Sequence, residues 1–177
     1  VTEPVEALLA RMADREPGPR AGAATAVTVG LAAALVELAA TLSPSWSEAA
    51  GVAAAASAAR VRALELADSD TQALVDARLA RRAGVEPDAD VTAALVDVPL
   101  EIAERAVTVA ELARSATQHG NPRLAGDSAV AALLAAAAAE AAAGIVALNV
   151  GDHGEARVVR AAELAAAARA GRDTMEA

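Results

Sequence analysis

Cysteine, lysine, phenylalanine and tyrosine are all missing from this 177-residue chain, and Trp46 is its only aromatic residue. Without cysteine there is no disulfide, no thiol nucleophile and no thiolate metal site, which fits a reducing, cytoplasmic setting. Without lysine, arginine supplies all 15 basic residues against 24 acidic ones, a formal net charge of -9. A duplex nucleic-acid binder needs clustered cations to displace counterions from phosphate, so no nucleic-acid partner is expected. The segment Val1-Thr2-Glu3-Pro4 has neither the basic start nor the apolar run of a secretory signal. With almost no aromatic bulk, the core has to be thin, long and built from Leu, Val and Ala.

What is present is alanine, within an apolar content of 55%. Alanine is the strongest intrinsic helix former and strand patterns are lacking, so the composition predicts an all-α chain. Breakers divide it into stretches at about 3–15, 22–43, 46–83, 88–119, 123–150 and 154–172. Ser45 reads as an N-cap with Glu48 in the first turn, Gly84 and Gly120 as C-caps, and Pro87 as the opening of the next helix. Pro99 lacks a backbone donor and should kink or restart the fourth helix near Asp97. Short loops and the lack of an internal repeat predict one domain over 1–177, an elongated up-and-down bundle of long helices.

The stretch 46–83 would extend about 57 Å at the helical rise, longer than a compact domain of this size is wide. Its surplus apolar surface predicts a homodimer. Stretches 22–43 and 128–150 are long and apolar enough to suggest membrane spans. Glu37 and Glu140 interrupt them and no aromatic belt flanks them, so no membrane partner is expected.

Polar chemistry has few addresses. Asp127 heads an alanine-rich helix in Gly120-Asn121-Pro122-Arg123-Leu124-Ala125-Gly126-Asp127-Ser128-Ala129-Val130, a position where aspartate commonly serves as an N-cap. The turn Pro17-Gly18-Pro19-Arg20-Ala21-Gly22-Ala23 precedes another long helix, whose free N–H groups suit an anionic ligand. Asp68 and Asp70 lie two apart on a helix, so at most one points inward. His119 lies near a helix C-terminus and His153 in a loop; neither has metal-ligand spacing, and no metal is expected.

These motifs resemble the cyclodeaminase/cyclohydrolase family of folate enzymes. The family has a Pro-x-Pro-Gly-Gly-Gly-Ser turn, with Arg20, Ala21, Gly22 and Ala23 standing in place of its three glycines and serine. Asp127 matches its Ser-Asp position, Asn149 the second asparagine of its Asn-Val-x-Ile-Asn segment, and Asp68 to Leu74 its Asp-rich segment before Ala-Phe. Val98-Pro99-Leu100 matches a Val-Pro-Leu packing segment.

The resemblance implies a cytosolic all-helical homodimer acting on a tetrahydrofolate derivative with no tightly bound cofactor. The reaction implied is cyclodeamination of formiminotetrahydrofolate or hydrolysis of methenyltetrahydrofolate. It also implies Asp127 as the acid/base or orienting group, with Pro19, Arg20, Gly22, Asp68 and Asn149 binding substrate and Arg20 drawing a glutamate carboxylate. A non-catalytic binding or scaffold dimer of the same family is the alternative, and a purely structural bundle or membrane-associated oligomer a third reading.

If the helix from Asp127 is straight, Asn149 lies about 33 Å along it, too far for both to serve one reacting atom in one subunit. A two-fold dimer that brings Asp127 to the turn of its partner reconciles them.

Overall fold

The computed structural model describes residues 3–151 and 154–173, so His153 lies outside the described residues. Within them the chain forms six α-helices and no strand: α1 (Val5–Ala13), α2 (Ala21–Thr41), α3 (Ala49–Arg82), α4 (Ala89–His119), α5 (Ala125–Asn149) and α6 (Glu155–Asp173). A short 3-10 turn, Pro122–Leu124, leads into α5. Successive helices from α2 onward pack side by side, α2 also lies against α5, and α4 packs against α2, α3, α5 and α6. Short connections between long helices leave the up-and-down bundle as the available topology.

Alanine sets how close these rods come. α2 buries Ala23, Ala26, Ala32, Ala33, Ala39 and Ala40, and α5 buries Ala131, Ala132, Ala135, Ala136, Ala139 and Ala142. Burying an alanine costs no rotamer entropy, so a core with few large side chains still gains from contact. Leu66, Ile102, Val29, Val36, Val109 and Val146 are the largest apolar, non-proline side chains sealed within it. The two helices apolar enough to cross a membrane, α2 and the Pro122–Asn149 unit, pack on one another and on α4, and each buries about half of its apolar length.

Several helix ends differ from the sequence expectation for identifiable reasons. α3 begins at Ala49 with no side-chain cap. Trp46 N–H and Ala49 N–H bond the carbonyls of Ser43 and Trp46, a run of tight turns that occupies the segment assigned to the helix and leaves Ser45 without a capping role. α4 is capped by Asp88, whose carboxylate accepts from Val91 N–H at 2.9 Å, one residue after Pro87. It runs unbroken through Pro99, which is buried; tertiary packing outweighs the one lost backbone bond. Asp127 sits in the first turn of α5 and is not its N-cap.

Gly84 ends α3 with φ +73, the left-handed conformation that favours glycine at this position. At the same end of the bundle stand the start of α2, the start of α4 and the end of α5. The opposite end is tied by Ser43, whose hydroxyl donates to Ala39 C=O at 2.6 Å and accepts from Asn121 N–H at 2.7 Å. Trp46 leans on His119 there, ring centroids 6.1 Å apart, which gives that histidine a packing role.

Apolar side chains also remain outside. Leu31, Leu38 and Leu42 line the outer face of α2; Val130, Leu133 and Leu148 line that of α5, spaced with the small residues Ala137, Ala141 and Gly144. α2 and α5 adjoin, and both stripes belong to their exposed face. Leu31 keeps 56% and Leu133 50% of its surface exposed, so the bundle leaves this face uncovered.

Candidate functional site

Asp70 is where the polar chemistry converges. α3 buries Ala63, Leu66, Ala67, Ala73 and Ala77 along one stripe, and Asp70 falls on that stripe, whereas Asp68 is rotated away and exposed. The buried stripe faces α2, so the Asp70 carboxylate meets the first turn of that helix.

α2 has no cap of its own: Arg20 stands at its N-cap position with no side-chain bond to the helix. Asp70 supplies the cap from across the bundle by accepting a hydrogen bond from Ala23 N–H. Among the described residues the N–H groups of Ala21 and Gly22 have no acceptor, leaving two donors at the positive end of the helix dipole.

Glycine at position 22 is what allows this approach, because a β-carbon there would overlap the Asp70 carboxylate. Burial pushes the Asp70 carboxyl above the ordinary aspartate range, with the Ala23 N–H acting in the opposite direction. Asp70 is therefore held ready to exchange a proton closer to neutrality than a solvated aspartate.

Around this pair lies a cleft of about 380 Å³ lined by Arg20, Gly22, Asp70, Leu74, Arg78 and Asn149, among others. Asn149 is fixed at its rim by donating from Nδ2 to Leu95 C=O at 2.8 Å, which leaves its Oδ1 free to accept. The end of α5, the start of α2 and the last third of α3 thus contribute to one hollow.

Five of the six sequence candidates lie at this end of the bundle. Gly22, Arg20 and Asn149 line the cleft itself. Pro19 and Asp68 instead share a smaller neighbouring cavity of about 200 Å³ with Glu3, Leu8 and Arg11. Of the two aspartates, it is therefore Asp70 and not Asp68 that enters the cleft. Asp127 lies at the far end of α5, about 33 Å from Asn149 along the helix, outside this hollow in its own chain.

Arg20 also has a different task from the one expected. Its Nη1 donates to the carbonyls of Arg11, Met12 and Pro19 at 3.0 to 3.3 Å, and its Nη2 to those of Asp14 and Glu16, both at 2.7 Å. A guanidinium so engaged cannot fork onto a ligand carboxylate without releasing the carbonyls at the end of α1. It acts instead as a clamp that holds α1 and the Pro17–Arg20 turn against the start of α2. Arg20→Ala should cost about 2 to 3 kcal/mol, the range for hydrogen bonds to a charged group. The loss should appear in urea denaturation together with faster proteolysis after Arg15; an unchanged midpoint and cleavage rate would show that water replaces the clamp at no cost.

Asp70 was legible in the sequence only through period. It occupies the apolar 3-4 spacing of α3, where a carboxylate is out of place, and that anomaly is the signal. Arg78, Leu95 and Ile145 carried no such mark, since only the packing of α3, α4 and α5 brings them to the cleft.

Comparison with known proteins accords with the geometry. The chain superposes on the crystal structure of formiminotetrahydrofolate cyclodeaminase from Thermotoga maritima with a TM-score of 0.88, covering 99% of this chain and 94% of that one at 21% identity. At that identity the likeness is one of fold. No curated protein matches the chain. The family model for formiminotransferase-cyclodeaminase matches residues 4–168. By that match, spanning nearly its whole length, the chain belongs to the formiminotransferase-cyclodeaminase family.

Proposed function

We infer that the protein is a formiminotetrahydrofolate cyclodeaminase with Asp70 as its proton-transferring group. The observation that carries this reading is a half-buried carboxylate with a raised pKa, set against the start of α2 inside a cleft, in a chain of this family. In the reaction N10 of the folate adds to the formimino carbon on N5 and closes the ring. The N10 proton passes to the departing nitrogen, one further proton is taken up, and the carbon–nitrogen bond breaks to release ammonia and leave methenyltetrahydrofolate.

A carboxyl that binds its proton above the usual range serves both halves of this exchange. It accepts from N10 and donates to the leaving amine. The free N–H groups of Ala21 and Gly22 suit a pteridine carbonyl, and Asn149 Oδ1 suits a pteridine N–H. The chemistry requires neither metal nor redox cofactor.

The reading includes a homodimer built on the uncovered face of α2 and α5. A two-fold axis lying in that face and crossing the helices would stack α5 on its copy in the opposite direction. Asp127 of the partner subunit would then approach the cleft, which is how that aspartate would take part in orienting substrate. The paired stripes are apolar over most of their length, the property that favours a stable like-with-like contact.

Ammonia release from 5-formiminotetrahydrofolate, followed with the growth of methenyltetrahydrofolate absorbance, tests the activity. Sedimentation equilibrium tests the dimer. Release of ammonia with ring closure is the expected result. Hydrolysis of methenyltetrahydrofolate without ammonia release would shift the activity to a cyclohydrolase, and folate binding without turnover of either compound would make the protein a non-catalytic binding dimer.

A further inference from the structure

We propose that Arg78 anchors a ligand carboxylate, and so makes this cleft select glutamate-bearing folates over their glutamate-free analogues. The proposal rests on the folate reading above and adds to it a residue and a selectivity.

The cleft holds two guanidinium groups, and Arg20 is committed to backbone carbonyls. Arg78 is not: among the described residues it makes no hydrogen bond and no ion pair. By contrast, Arg11, Arg60, Arg62, Arg157 and Arg169 each reach a carboxylate within 3.3 Å. Asp76, the nearest acid on its own helix, accepts from Gln72 instead.

Arg78 is half-buried and shares the cleft with Leu74, Leu95 and Leu148. Apolar walls strengthen a charge pair relative to open water. A guanidinium presents a planar fork that matches a carboxylate with two parallel hydrogen bonds.

Spacing gives the ligand its direction. Eight residues of α3 separate Asp70 from Arg78, about 12 Å along the helix. A ligand with its reacting centre at Asp70 therefore meets the cation at a distance, as a folate does with its one-carbon unit at one end and its glutamate at the other. The apolar span between them, Leu74 and Leu95, suits the intervening aromatic ring.

Calorimetry on the full chain with 5-formyltetrahydrofolate and the methylamide of 5-formyltetrahydropteroate, which lacks the glutamate and carries no carboxylate, tests the assignment. The wild-type protein should bind the glutamate-bearing compound at least tenfold more tightly. Arg78→Gln should erase that preference by weakening the glutamate-bearing compound toward the affinity of the amide, and Arg78→Lys should restore part of it. Equal binding of the two compounds by the wild-type protein, binding of neither, or a preference that survives in Arg78→Gln would overturn the proposal. Circular dichroism of each variant separates lost binding from lost fold.

The ammonia-release assay keeps the two readings apart. A wild-type protein that turns over substrate yet ignores the glutamate overturns the role of Arg78 alone. One that prefers the glutamate compound but releases no ammonia overturns the enzymatic reading and leaves Arg78 as the anchor.

Discussion

Asp70→Asn should lower turnover of 5-formiminotetrahydrofolate at least a hundredfold and yet leave the protein as stable as its parent at neutral pH, or more so. Loss of a general acid/base commonly removes two to four orders of magnitude of rate. The stability follows from the direction of the Asp70 shift. Its folded pKa lies above the ordinary value of 3.8, because burial penalises the charged form more than the Ala23 N–H favours it.

The native state therefore holds the proton more tightly than the unfolded chain does. Between the unfolded and folded pKa values stability falls as pH rises, and above the folded value the cost of the buried charge is present in full. An asparagine carries no such charge and its carbonyl still accepts from Ala23 N–H. The stability difference between variant and parent should shrink as pH is lowered toward 3.8, and the acid limb of the parent's pH–rate profile should vanish in the variant. Denaturation midpoints measured across pH, beside kcat, check both parts. A variant that keeps its turnover would remove Asp70 from the chemistry, and one that is destabilised at neutral pH would show the carboxylate to be a structural cap.

Gly22→Ala should damage both stability and activity, the second large effect. The added methyl overlaps the Asp70 carboxylate, so either the start of α2 or the carboxylate has to move. Overpacking of this kind costs about 1 to 3 kcal/mol. Because Asp70 is the group displaced, turnover should fall by at least tenfold as well.

Coupling to Asp70 distinguishes this mechanism from a general intolerance of the turn. In Gly22→Ala combined with Asp70→Ala the overlap disappears, so the double variant should recover much of the stability lost by Gly22→Ala but none of the activity. Thermal denaturation of the four proteins in the cycle measures the interaction. Additive losses would mean that the two positions do not collide.

Helix content, the number of long rods and their approximate limits were determined by the sequence alone, because alanine propensity and breakers act locally. The opposite-end placement of Asp127 and Asn149 was also legible, since it follows from the rise of one helix. Gly22 was visible there only as the retained glycine of the resembling turn; the overlap that requires it came from the structure.

Tertiary structure decided which acid enters the cleft and what the arginines do. Asp68 and Asp70 are alike in type and near-neighbours in sequence, and only the packing of α3 on α2 turns the second toward the start of α2 while the first borders the smaller neighbouring cavity. Arg20 looked free beside a ligand turn, yet the way α1 folds back presents five carbonyls to its guanidinium. Arg78 bore no motif at all and gained its place because α3, α4 and α5 converge there. Propensity and period are local and can be read one helix at a time; a binding site is made where helices distant in sequence meet, and long-range packing determines where that is.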